Sequence, residues 1–268
     1  MSQLNIRTRI YEDYLKKSRL NEYAKLLTTA KNEGYKMLSI IDFYRFIRGG
    51  TAIGEKILIN RHDIDTSPNV AVKMFEIEKS IYGQNGSSTY YFRDCTFNKK
   101  IIQEIYNYRY EVGYHYEEIA NFEKINKLKN KNEILNHVPD IQKMFLDDYN
   151  NFKLKSEVPC YSVSSHGDFV NVKLNISNKV LLTSDEVRKK AGIVVEAYDD
   201  IIENNIKKRY ADQEYLGFFS NNVIDSLLNG NSPILILTHP RQWKVDICEN
   251  SKDNFRRLYQ GLHYRFSK

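Results

Sequence analysis

Two kinds of hydrophobic run alternate along most of this chain. Nearly continuous apolar runs are typical of buried strands, and they predict strands near residues 35–43, 55–65, 88–93, 110–117, 158–168, 191–200 and 232–243. Apolar residues at helical spacing predict helices near 11–32, 68–81, 98–108 and 132–152, the last broken or kinked at Pro139. Strands that alternate with helices favour an α/β fold with a mostly parallel sheet or barrel.

Polar residues gather where several of these predicted strands end. The chain has six histidines, and four of them stand at or near a strand end: His62, His115, His166 and His239. Because the carboxyl ends of parallel strands meet at one edge, where barrel enzymes hold their catalytic groups, these residues predict a shared site. The remaining two, at positions 137 and 263, are interpreted as structural.

The stretch ILINRHDIDTSP, residues 57–68, has the densest cluster of charges at a strand end. Side chains two residues apart on a strand share a face. We therefore expect Asp63 and Asp65 to point into one site with Arg61 beside them, and His62 to point away. Two close carboxylates repel each other unless a cation lies between or beside them.

A divalent metal ion would supply that cation. One Asp and two neutral imidazoles hold such an ion with open positions, which leaves the other Asp as a general base for water. His239, from another strand, would then protonate the leaving group. The alternative is a buried network in which an Asp of this segment pairs with Arg61 or Arg93 and no metal is involved.

Composition narrows the class of protein. The net charge is +6, but the basic residues are scattered, which argues against a nucleic-acid interface. Three cysteines without a C-x-x-C spacing predict neither a disulfide framework nor a thiolate zinc site. No signal-like start and no apolar run of about 18 residues occur, so we expect a cytoplasmic protein without a membrane span. We expect one domain over 1–268, with 1–34 as a helical extension.

Five short motifs, taken in order, resemble the polysaccharide deacetylases of carbohydrate esterase family 4. The resemblance is greatest to a divergent branch with an Arg-His-Asp-Val-Asp first motif, found among surface-polysaccharide biosynthesis proteins. The motifs are RHDID (61–65), EVGYHYE (111–117), SSHGD (164–168), RYAD (209–212) and ILTHPRQW (236–243). Each is weak alone, but the ordered set is fairly specific.

The resemblance implies a distorted (β/α) barrel of about seven strands. It also implies a divalent ion, usually Zn²⁺, held by one Asp and two His. We expect Asp65 and His115 to be ligands and Asp63 to be the base, although the intervening Ile64 leaves the order of the two Asp roles open. The family's second ligand His corresponds here to Ile119, so His166 is the expected third ligand.

The remaining roles follow from the same resemblance. His239 is the expected acid, Arg93 or Arg61 an oxyanion donor, and Asp212 a partner that orients His239 or Arg61. The implied reaction removes an N-acetyl or N-formyl group from an amino sugar, with a small sugar or nucleotide sugar as substrate; no oligomeric state follows. A catalytically altered protein that only binds sugars is the alternative, and a two-metal phosphoesterase is less favoured because ligands for only one ion are found.

Overall fold

One parallel sheet curls into a distorted (β/α) barrel, which confirms the fold class predicted from the sequence. The fold is that of a computed structural model, which describes residues 6–50, 54–128, 130–213 and 219–266. In these ranges the strands are β1 (Lys36–Leu38), β2 (Ile57–Ile64), β3 (Thr89–Phe92), β4 (Glu111–Tyr116), β5 (Ser162–Ser165), β6 (Val195–Glu196), β7 (Lys208–Ala211) and β8 (Ile234–Thr238).

Seven strands follow the order β6-β5-β4-β3-β2-β8-β7. The additional strand, β1, lies beside residues 57–59 in the first half of β2, and β3 lies beside residues 61–64 in its second half. Every pairing is parallel, so the carboxyl ends of the strands open at the same end of the barrel, which we call the mouth.

Helices flank the strands of the sheet. They are α1 (Ile6–Ile10), α2 (Leu20–Asn32), α3 (Ile40–Arg48), α4 (Pro68–Tyr82), α5 (Lys99–Asn107), α6 (Glu118–Asn126), α7 (Lys131–Asn136), α8 (Val138–Ser156), α9 (Phe169–Leu174), α10 (Asp185–Ala191), α11 (Asp200–Glu203), α12 (Phe219–Leu228), α13 (Pro240–Trp243) and α14 (Ile247–Phe266). Most of the helices cover the outer side of the sheet, while α3 packs against the inner part of the core. None of the helices in the described ranges is long and apolar enough to cross a membrane.

The hydrophobic core has an inner and an outer part. The inner cluster joins Ile57 and Ile59 of β2, the facing Leu235 and Leu237 of β8, and α3. The larger outer cluster lies between the strands and the helices, and α2 contributes four fully buried residues to it: Tyr23, Leu26, Leu27 and Ala30. The expected N-terminal extension, residues 1–34, thus includes a helix that packs on α4 and α12.

Several predicted elements differ from the structure. Residues 240–243 of the predicted strand 232–243 form α13, and only Val195 and Glu196 of the predicted strand 191–200 form β6. Residues 35–43 were expected to form one strand, but β1 ends at Leu38 and Ser39 begins α3, because its Oγ accepts from the backbone N–H of Asp42 at 3.1 Å. An apolar run of this length does not distinguish strand from helix. The single helix predicted for 11–32 is interrupted at residues 16–19, where the backbone N–H of Arg19 donates to the Trp243 carbonyl instead.

Candidate metal centre and active site

Strand β2 brings its charged residues to the mouth through its two-residue alternation. Its inward positions change from apolar, Ile57 and Ile59, to polar, Arg61 and Asp63, as the strand approaches the mouth. Arg61 is fully buried and binds Asp63 through both arms, with Nε to Oδ1 at 2.8 Å and Nη2 to Oδ2 at 2.7 Å. This is the Asp–Arg contact of the alternative interpretation, and it accounts for Asp63 but not for Asp65.

His62 lies on the opposite face of β2, outside the barrel interior. Its Nε2 lies 2.7 Å from Glu78 Oε1 on α4, its Nδ1 lies 2.6 Å from Thr238 Oγ1, and its ring stacks on Tyr90. All four residues are fully buried. His62 therefore ties β2 to α4 and to β8, and it does not face the mouth.

Asp65 follows β2 at the mouth and meets two histidines from other strands. Its Oδ1 lies 3.3 Å from His115 Nε2 and 3.0 Å from His166 Nδ1, and those two nitrogens lie 3.3 Å apart. His115 comes from β4, and His166 follows β5 directly. Asp63 borders the cluster, with its Oδ2 3.5 Å from His115 Nε2.

The three atoms suit a divalent ion. His115 Nδ1 lies 2.9 Å from the Ser164 carbonyl, so it carries the proton and leaves the lone pair of Nε2 directed at Asp65. Asp65 Oδ1 is buried and accepts no hydrogen bond. Ligands about 2.0–2.2 Å from a tetrahedral Zn²⁺ lie roughly 3.3–3.6 Å from one another, close to the separations seen here. One carboxylate and two imidazoles are donors that Zn²⁺ accepts.

His239 follows β8, and its ring is hydrogen-bonded to Asp212, which follows β7. His239 Nδ1 lies 2.7 Å from Asp212 Oδ1, and Trp243 Nε1 donates to the other carboxylate oxygen at 3.0 Å. Burial by itself would lower the pKa of His239, but the charge of Asp212, with smaller contributions from Asp65 and Asp63, raises that pKa to about 9. The imidazole is therefore protonated at neutral pH, with Nε2 available as a proton donor.

Arg93 has a different setting from the one expected of an oxyanion donor. Its Nε and Nη2 donate to Glu117 at 3.1 and 2.6 Å, and its Nη1 lies 3.4 Å from the backbone oxygen of Asp65. The guanidinium thus supports the backbone that carries Asp65. Arg61 keeps one buried nitrogen, Nη1, without a hydrogen-bond partner.

Sequence reasoning missed two residues that hold Arg61. Ser164 Oγ and Tyr198 Oη both accept from Arg61 Nη2, at 2.5 and 2.9 Å, and the Tyr198 ring lies 4.3 Å from the guanidinium carbon. Tyr198 stands near the end of the predicted strand 191–200, so its position was a usable signal. Of the two histidines interpreted as structural, His137 is partly exposed and pairs with Asp140, and the side chain of residue 263 lies outside the described part.

No family model and no curated protein matches the sequence. Among solved structures, a mutant CE4 family pseudoenzyme with restored enzymatic activity matches with a TM-score of 0.46 and 9% identity, over 78% of this chain and 65% of that chain. The wild-type CE4 family pseudoenzyme from Bacillus anthracis matches with a TM-score of 0.44 and 10% identity, over 78% of this chain and 63% of that chain. The chain spans less than two thirds of either structure, and at these values neither likeness bears on its activity.

Proposed function

We propose that this protein is a metal-dependent amidohydrolase that removes an N-acetyl or N-formyl group from an amino sugar. The main observation in its support is that Asp65, His115 and His166 converge at one point. Beside them lie the Asp63 carboxylate, which Arg61 binds, and the His239 imidazole, which Asp212 binds. The proposal includes Zn²⁺ as the ion, the cytoplasm as the location, and a soluble sugar or nucleotide sugar of surface-polysaccharide biosynthesis as the substrate.

The metal would polarise the amide carbonyl and lower the pKa of a water molecule. Asp63, beside the three ligands, accepts the proton of the attacking water. Arg61 fixes the orientation of that carboxylate, since it binds both oxygens and is itself held by Tyr198 and Ser164. The unpartnered Nη1 of Arg61 is a further donor for negative charge that develops at the site.

His239 acts at the leaving nitrogen. An amide nitrogen leaves as an amine only when it gains a proton, and His239 carries one because Asp212 raises its pKa to about 9. Asp212 also accepts from the backbone N–H of His239 at 2.7 Å, so one carboxylate sets both the charge and the position of the ring. The two proton-transfer groups, Asp63 and His239, are thus in opposite protonation states.

The first test measures acyl release. The zinc-reconstituted protein is incubated with N-acetyl and N-formyl amino sugars, free and nucleotide-linked, and released acetate or formate is quantified. Asp63→Asn is expected to lower the rate by about 10²–10⁴-fold because the base is lost, while the exposed Asp140→Asn leaves it unchanged. Equal rates for Asp63→Asn and the unmodified protein would refute the assigned mechanism.

A second candidate is a sugar-binding protein on the same barrel. The observation in its favour is that both oxygens of Asp63 accept from Arg61, which weakens that carboxylate as a base. Saturable sugar binding, together with bound zinc and no acyl release from any substrate in the series, would establish this function and exclude the hydrolase.

A further inference from the structure

A cavity of about 430 Å³ adjoins the candidate metal centre. His166 and Tyr198 line its side towards the site, and Asn175, Ser177 and Lys179 line its outer part. The described residues around it include no carboxylate, and Lys179 is the one side chain among them with a full charge at neutral pH. The cavity is therefore open to the site at His166, and its one charged lining side chain is positive.

Apart from Asp65, which faces His115 and His166, most carboxylates near the cavity and the mouth are matched by cations. Six pairs share this arrangement: Asp63–Arg61, Glu117–Arg93, Asp168–Lys124, Asp199–Arg188, Glu203–Arg209 and Asp212–His239. Glu196 has no such cation, but its carboxylate accepts from the backbone N–H groups of Ser165 and Tyr198, and burial raises its pKa. A carboxylate free to compensate a further cation is not found among these groups.

Lys179 is that further cation. Its exposed ammonium donates to the backbone carbonyl of Tyr198 at 3.1 Å, and in the described ranges it forms no ion pair. An ammonium has three donors, so this single contact leaves two of them available to a ligand in the cavity.

Three cationic side chains lie around the Tyr198 ring, at the border between the cavity and the candidate metal centre. The guanidinium carbon of Arg61 lies 4.3 Å from its centroid, that of Arg209 5.1 Å, and Lys179 Nζ 5.6 Å. Arg209 Nε is buried without a hydrogen-bond partner. Arg61 and Arg209 are paired with Asp63 and Glu203, so among these three cations Lys179 is the one without a carboxylate partner in the described ranges.

We propose that this cavity binds an anionic group carried by the amino sugar, a phosphate or a carboxylate, with Lys179 as its main contact. The inference rests on the proposed function for the role of the bound molecule as substrate, but anion binding at Lys179 does not depend on turnover. The substrate would bind with its acyl group at the candidate metal centre, next to His166, and its charged group beside Lys179.

Calorimetric titration of the zinc-reconstituted full chain tests the proposal. The probes are UDP-N-acetylglucosamine and N-acetylglucosamine 1-phosphate for phosphate, N-acetylgalactosaminuronic acid for carboxylate, and neutral N-acetylglucosamine. At least one anionic probe is expected to bind more tightly than the neutral sugar. Lys179→Met should raise the Kd of that anionic probe about fivefold, because one exposed ionic contact is lost. Lys207→Met, which removes an exposed lysine before β7, should leave the Kd unchanged.

A repeat of the titration without metal separates the cavity from the metal centre. Anion binding that survives metal removal and depends on Lys179 supports the proposal even if no sugar is deacylated, in which case only the proposed function fails. Failure of every anionic probe to bind, equal affinity for neutral and anionic probes, or equal effects of Lys179→Met and Lys207→Met would overturn it. Acyl release from an anionic N-acyl sugar, at a concentration below its Kd, that is unaffected by Lys179→Met would leave the hydrolase intact and reject the anion site.

Discussion

Asp212 holds His239 at two points, with one carboxylate oxygen 2.7 Å from the ring Nδ1 and the other 2.7 Å from the backbone N–H. The pair joins the ends of two neighbouring strands, β7 and β8. Trp243 Nε1 donates to the carboxylate as well, so the fully buried indole fixes its orientation. Asp212 therefore both raises the pKa of His239 and fixes the orientation of its ring.

Asp212→Asn is expected to lower the pKa of His239 from about 9, because it removes the charge and the hydrogen bond that do most to offset the effect of burial. In the unmodified protein the raised pKa stabilises the fold below about pH 6.5, and this contribution is lost as the pH rises through about 9. The variant should lack that contribution. Histidine NMR titration and urea unfolding between pH 6 and 10, on metal-free protein, measure both effects. Asp140→Asn, beside the exposed His137, should leave the His239 titration unchanged.

His166→Ala is expected to weaken zinc binding by more than about 100-fold, since it removes one of three protein ligands and even outer contacts are worth 10–100-fold. Competition with a chromogenic chelator measures the affinity. His137→Ala is the matched control, because that partly exposed histidine contacts Asp140 and Phe122 and none of the proposed ligands. Equal zinc affinity in the two variants would show that His166 is not a ligand.

Glu78→Ala is expected to destabilise the protein by about 3–5 kcal/mol, because it removes one partner of a buried pair. Glu78 lies 2.7 Å from His62 and also accepts from Tyr23 and Ser88, and all of these groups would lose their acceptor. Glu76→Ala, on the same helix, removes only a surface pair with Lys79 and should cost under about 1 kcal/mol. Urea unfolding compares the two, and equal losses would contradict the assigned role.

Gly113→Ala is expected to cost about 1–3 kcal/mol or more through overpacking. An added Cβ would lie 2.3 Å from the Tyr91 ring and 2.8 Å from the Ser162 carbonyl, so the chain must move. Tyr91 borders Arg61, so acyl release should fall as well. Gly167→Ala, in another of the motifs, meets nothing within 4 Å and should be tolerated. Thermal unfolding and the release assay measure both.

Local sequence patterns predicted many of the strands and helices and the positions of the polar strand ends. Period-two alternation in ILINRHDI separates the inward Arg61 and Asp63 from the outward His62, and the structure has this arrangement. Helix α4 begins at Pro68, and α5 begins after Asn98, whose side chain accepts from the backbone N–H of Ile101. The pattern failed where packing decides between strand and helix, as at residues 40–43 of α3.

The hydrogen-bond partners of the polar side chains could not be predicted from the sequence. Arg93 stands at a strand end as expected, but only the fold shows that it binds Glu117 and supports the Asp65 backbone. Tyr198 and Ser164 meet Arg61 across separations of 137 and 103 residues. No local periodicity encodes such contacts, because they depend on strand order and register.

The sequence by itself determined the alternation of strands and helices, the charged strand ends and the types of donor available for a metal. Those properties depend on the spacing of residues along one element, which the chain carries locally. Tertiary structure alone decided that Asp65 Oδ1, His115 Nε2 and His166 Nδ1 lie 3.0–3.3 Å apart and that Lys179 borders a cavity beside them. The physical reason is that β2, β3, β4 and β5 pair in parallel as successive neighbours, and this order and register decide which strand ends meet.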